Sequence, residues 1–151
     1  MAVKITRIFV AGLLLLLGLA LAASGPALAK SIYGKQKVVY HFNDSNPEIN
    51  LIGLKNIQNH INELGRENLK AVAVVHARAW KLAAKKTVNK DLLARMKKLI
   101  AQGVEFRICN NTLKDKKLDA KKDLSIPMTV VPAGVAELVK LQNEGYAYIK
   151  P

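Results

Sequence analysis

Val104-Glu105-Phe106-Arg107-Ile108-Cys109-Asn110-Asn111-Thr112 reads as a short β-strand that ends on the only cysteine of the chain. Asn110, Asn111 and Thr112 are residue types that favour turns and helix N-caps. A thiol at the carboxyl end of a strand, just before a helix start, lies where open α/β sheets place their ligands. It also faces the positive end of a helix dipole, which favours thiolate over thiol. The thiolate is the nucleophile and the metal ligand. The competing reading is a small buried hydrophobe, since free cysteine is among the most buried residue types.

Moving outward from Cys109, strands and helices alternate. Residues 37–42, Lys-Val-Val-Tyr-His-Phe, are β-branched and aromatic and read as the first strand. Asn46, Pro47 and Glu48 supply an N-cap, a first-position proline and a first-turn acid. Leu54, Ile57, Ile61 and Leu64 then recur at helical spacing up to Gly65, so a helix is expected over 47–64. Residues 69–76 form a nearly continuous apolar run that suits a strand covered on both faces. Residues 77–86, around Trp80, read as a short helix or irregular loop. Asn89 caps a helix expected over 90–102, with Leu92, Leu93, Met96, Leu99 and Ile100 in one stripe. The lysine-heavy run 114–123 reads as a solvated loop or exposed helix. A short fourth strand is expected over 128–131. A helix follows over 133–144, with Val135, Leu138, Val139 and Leu141 inward, and a last strand over 146–149. This order predicts a three-layer α/β/α fold with a mainly parallel sheet of about five strands, joined by right-handed crossovers.

The N-terminus has a different character. Lys4 and Arg7 precede an apolar run from Ile8 to Ala23, broken by Gly25 and Pro26 and followed by Ala27-Leu28-Ala29. That order is a secretory signal peptide over residues 1–29, leaving one domain over 30–151. An uncleaved membrane anchor is the alternative. The formal charge of +13 drops by two when Lys4 and Arg7 leave. Such a charge often points to nucleic acid, but export to the periplasm makes that partner unexpected. A membrane surface is a partner only if the apolar segment stays attached; an acidic protein or a small anion fits better. A lone thiol in an exported chain implies intermolecular pairing, a reactive group or a metal ligand.

Three reactive side chains fall at strand exits: His41, His76 and Cys109. In a parallel sheet those exits share one rim. A thiolate site would use Cys109 as nucleophile, with a histidine or one of Lys114, Lys116 and Lys117 holding the anion. A metal site would combine His41, His76 and Cys109, a set suited to copper or zinc. A structural reading leaves the histidines hydrogen-bonded in loops and the thiol packed. His60 reads as an ordinary surface residue. No glycine-rich phosphate loop, C-x-x-C, G-x-S-x-G or H-E-x-x-H occurs, and no cofactor is expected.

Three stretches resemble the DsrE/DsrF-like family of sulfur-relay proteins, in particular its small exported single-domain members. They are Val38 to Asp44, Phe106 to Leu113, and Val130 to Leu138 continued by Leu141-Gln142 and Gly145 to Ile149. The resemblance implies a three-layer α/β/α fold and homo-oligomers, commonly trimers or hexamers. It also implies a cysteine that carries sulfur as a persulfide to another thiol protein, and Cys109 is the matching position. The expectation is an exported sulfur carrier or transferase. Cys109 would accept sulfane sulfur from a thiol- or persulfide-bearing protein or a small sulfur species, with His41 and His76 tuning it. The alternatives are a non-catalytic module holding a metal or anionic ligand at that rim, and an oligomeric interaction protein.

Overall fold

The computed structural model describes residues 32–151; the expected signal segment lies outside the described residues. Five strands alternate with helices: β1 (Gln36–Phe42), α1 (Pro47–Leu64), β2 (Leu69–Val75), α2 (Trp80–Ala83), α3 (Lys90–Ala101), β3 (Glu105–Cys109), α4 (Asn110–Asp115), β4 (Thr129–Val131), α5 (Gly134–Asn143) and β5 (Ala147–Ile149). The sheet order is β4-β3-β2-β1-β5, and every pairing is parallel. This is the three-layer α/β/α fold read from the sequence. Among the described residues no helix is long and apolar enough to cross a membrane.

Local chemistry sets the element ends. The Asn46 side chain accepts from the Glu48 N–H at 2.9 Å, and Pro47 opens α1 where an N–H would have no helical partner. Gly65, at φ 79°, closes α1 by donating its N–H to the Ile61 carbonyl. Asn89 caps α3 through the Leu92 N–H at 2.8 Å. Between β2 and α3 the chain makes a 3₁₀ turn at Ala77–Ala79 before α2. Of the lysine-rich run, only the start belongs to α4; turns follow, with Asp119 accepting from the N–H groups of Lys121 and Lys122.

Alternate strand residues feed two cores. Val38, Tyr40, Phe42, Ala71, Ala73, Val75 and Phe106 pack on Leu54 and Ile57 of α1 and Met96 and Leu99 of α3. Val39, Val72 and Val74 meet Leu138, Leu141 and Tyr146 on the opposite face. The chain steps β1-β2-β3-β4 in one direction and then returns to the far side of β1. Right-handed crossovers therefore put α1 and α3 on one face and α5 on the other. By register, His41, Arg107, Cys109, Thr129 and Tyr148 share the α5 face.

Two expectations are corrected. Val135 and Val139 do not point inward; they are 62% and 57% exposed. The buried stripe of α5 is instead Gly134, Glu137, Leu138 and Leu141. A hydrophobicity pattern cannot select a stripe containing glycine and glutamate, and Glu137 is admitted because Arg107 meets it from β3. His60 is not an ordinary surface residue. Its Nδ1 lies 3.0 Å from the Tyr40 hydroxyl and its Nε2 lies 2.7 Å from Gln36 Oε1, which ties α1 to β1. The amide oxygen only accepts, so Nε2 donates to it and Nδ1 accepts from Tyr40. Burial pushes the Tyr40 phenol up to about 12, so this donor stays protonated.

Candidate functional site

All three sequence-derived residues lie at the carboxyl rim: His41 next to last in β1, His76 just after β2, Cys109 last in β3. The structure joins the histidines directly. Their Nε2 atoms are 2.5 Å apart, and the rings lie at 12° with centroids 4.7 Å apart. The Tyr148 hydroxyl of β5 sits 2.5 Å from His41 Nδ1. Tyr148 reaches this rim because β5 pairs beside β1, an adjacency that no local sequence signal announces.

Cys109 joins the group across Gly134. A methyl built on Gly134 would fall 2.8 Å from His76 Cβ and 3.2 Å from Cys109 Cβ. The first residue of α5 is thus wedged between His76 and the thiol, and only a hydrogen fits there. Cys109 is 6% exposed. It takes the N-cap place of α4 with no formed side-chain cap hydrogen bond, so the first N–H groups of α4 remain for an ionised sulfur. Burial pushes the thiol up. The backbone N–H groups of Thr112 and Gly134, the Thr112 hydroxyl and the Asn111 N–H together outweigh that and hold it below its ordinary value. The Thr112 oxygen meanwhile accepts from the Ala77 N–H at 3.0 Å, so its proton is directed elsewhere. Ala77 has φ 49°, a left-handed conformation that L-residues adopt at a cost. That strained residue follows His76 directly and ties the β2 exit to α4.

Neither Gly134 nor Thr112 stood out in the sequence as a site residue, although Thr112 was legible as a cap type. Lys114, Lys116 and Lys117 follow α4's start, yet the groups acting on the sulfur are backbone N–H groups and the Thr112 hydroxyl. The two imidazoles face each other rather than converge with the thiol. Among the described residues no group of three or more His, Cys, Asp and Glu side chains is arranged to hold a metal ion. At the rim, Lys150 acts electrostatically on both histidines, and Arg78 meets Asp44 at 3.4 Å.

Burial lowers the pKa of His41 to about 4, with His76 and Lys150 adding to the shift. Burial and Lys150 also lower His76, and burial lowers His60. An unfolded histidine titrates near 6.5. Below that pH the unfolded chain binds protons that the folded chain refuses. Stability is therefore expected to hold above about pH 6.5 and to fall as pH drops through the window toward 4. Urea midpoints between pH 7.5 and 4.5 check this, and His41→Asn with His76→Asn should flatten the decline. An undiminished decline in that double variant would place the acid sensitivity elsewhere.

Fold and site together define a parallel three-layer α/β protein with a polarised thiol at the carboxyl rim of its sheet, beside paired imidazoles. Residues 17–151 match the DsrE/DsrF-like family, and the chain belongs to that family, which is associated with sulfur relay. Among solved structures it is similar to a protein of unknown function, MTH1491, from Methanobacterium thermoautotrophicum. That match has 28% identity and a TM-score of 0.70, and covers 78% of this chain and 100% of that one. Comparison with curated proteins finds no match.

Proposed function

We propose that this chain is an exported sulfur carrier in which Cys109 accepts sulfane sulfur, holds it as a persulfide and passes it to another thiol. The observation that carries the reading is the sulfur's position between the N-terminal N–H groups of α4 and α5, with the Thr112 hydroxyl beside it. Such donors stabilise a thiolate and equally an anionic persulfide. The Cys109 thiolate attacks the outer sulfur of R–S–SH. The new S–S bond forms, the donor's S–S bond breaks, and R–S⁻ leaves and takes a proton. Hand-on is the same exchange with the roles reversed.

The partner in this reading is a thiol- or persulfide-bearing protein or a small sulfur species. Lys150 and Arg78 at the rim favour an anionic donor. A periplasmic location rests on the apolar segment and its Ala27-Leu28-Ala29 end. A homo-oligomer has in its favour the exposed Val135 and Val139 on α5, one helical turn apart, and light scattering of the signal-less chain tests it.

Intact mass after exposure to a small persulfide tests the carrier reading. Reduced wild-type chain is expected to gain one sulfur atom, reversibly by reductant, and Cys109→Ala none. Equal gain in both, or none in either, would overturn it.

A further inference from the structure

We infer that Tyr148, His41 and His76 form a proton conduit that runs from solvent to the thiolate that departs when Cys109 attacks a disulfide or persulfide. The inference extends the reading above, but its test does not depend on which sulfur species is the cargo.

The single contact between the two Nε2 atoms accommodates one proton. Two neutral arrangements satisfy every contact in the row. In the first, Tyr148 donates to His41 Nδ1, His41 Nε2–H donates to His76 Nε2, and His76 carries its single N–H proton on Nδ1. In the second, each of these bonds runs the opposite way, and Nδ1 of His76 is bare. Passing from the first to the second moves one proton from the tyrosine end to the His76 end without an imidazolium in the row.

Burial makes that property matter. His41 is 9% exposed, and the charged form of either ring is disfavoured by burial and by Lys150; Asp44 and Arg78, paired with each other, are the other charges at this rim. A row that shifts protons while staying neutral avoids the cost of a buried cation. Its outer end is open, since Tyr148 is 43% exposed. At its other end, Nδ1 of His76 makes no hydrogen bond among the described residues and is not sealed off, so it is open to a group docked beside Gly134 and Cys109.

A proton donor at that place would assist the departing thiolate. In thiolate attack on a disulfide or persulfide, the departing sulfur lies beyond the transferred one. Each S–S bond is about 2.05 Å. The acid must therefore stand away from the attacking sulfur, and no hydrogen bond joins the His76 ring to Cys109 among the described residues. As the S–S bond breaks, the departing thiolate takes the Nδ1 proton of His76. His76 Nε2 takes the proton of His41 Nε2, His41 Nδ1 takes the Tyr148 hydroxyl proton, and Tyr148 takes one from water. Cys109 is oxidised to the mixed disulfide or persulfide as the attacked S–S bond is reduced. His76 is the catalytic residue; His41 and Tyr148 act through it.

The test compares two disulfides on reduced chain at neutral pH. One releases an alkyl thiolate, with a conjugate-acid pKa of about 8.5, whose departure a proton donor assists; the other releases an acidic aromatic thiolate that gains little from one. The alkyl-to-aromatic rate ratio is expected to fall about 100-fold in His76→Gln, the low end of the usual range for lost acid–base assistance, and about tenfold in Tyr148→Phe, which acts through His76. A merely structural role would slow both reactions together and leave the ratio unchanged. Tyr148→Phe keeps the ring on an edge strand and carries the test even if His76→Gln fails to fold. An unchanged ratio in Tyr148→Phe, or in folded His76→Gln, overturns the inference.

Discussion

Gly134→Ala is expected to slow alkylation of Cys109 at neutral pH by about 10- to 100-fold, while destabilising the fold by only about 1–3 kcal/mol. The added methyl would sit 2.8 Å from His76 Cβ, 3.1 Å from its Cγ and 3.2 Å from Cys109 Cβ. These atoms are held by the backbone and are not the far ends of flexible side chains, so the start of α5 must move away. The Gly134 N–H moves with it. A hydrogen bond to a charged group contributes about 1.5–3 kcal/mol, which sets the expected factor. Burial, which pushes the thiol up, then meets less opposition, and the thiol titrates closer to its ordinary range. The backbone itself tolerates alanine, because Gly134 has no left-handed φ. The pH dependence of iodoacetamide alkylation, beside a urea melt, separates the two effects. An alkylation profile identical to wild type would show that α5 does not hold the thiolate.

Arg107→Met is expected to destabilise the fold by about 3–5 kcal/mol. The Arg107 guanidinium grips Glu105 with two bonds, Nε to Oε1 at 3.0 Å and Nη2 to Oε2 at 2.7 Å, and its Nη1 donates to Glu137. Thr129 of β4 donates to the same Glu105 at 3.0 Å. Bonding to Arg107 lowers the Glu105 pKa. The Glu137 side chain is only 8% exposed, so removing the arginine strands a buried carboxylate. A fall of roughly 10–20 °C in Tm follows for a domain of this size. Replacing both partners, as Arg107→Met with Glu137→Leu, should recover most of the loss, because the cost lies in the unpaired charge and not in the absent bond. Thermal melts of the single and double variants decide it: equal Tm values for wild type and Arg107→Met would mean the ion pair does not anchor α5. The same helix carries Gly134, so the single variant should also slow alkylation of Cys109.

The elements were legible because their signals are local. Asn46 and Pro47 announce α1, and the Leu92–Met96–Leu99 stripe announces α3. Apolar residues 69–75 announce a doubly covered strand. The strand exit at Cys109 was legible in the same way. α5 was readable as a helix but not in its orientation, because its buried face includes Gly134 and Glu137 while two valines stand in solvent. His60 was misread because its burial depends on Tyr40 and Gln36, partners 20 and 24 residues away.

By itself the sequence determined the alternation of strands and helices, the parallel sheet that alternation demands, and the placement of His41, His76 and Cys109 at strand ends. Tertiary structure alone decided which of those ends meet. Putting β5 beside β1 brings Tyr148 to His41, and the reversed crossover sends α5 to the opposite face, where Gly134 slides between His76 and Cys109. Periodicity records which face of its own element a residue occupies. It carries nothing about which strand lies next door, and that neighbour is what turns a lone thiol into a polarised one.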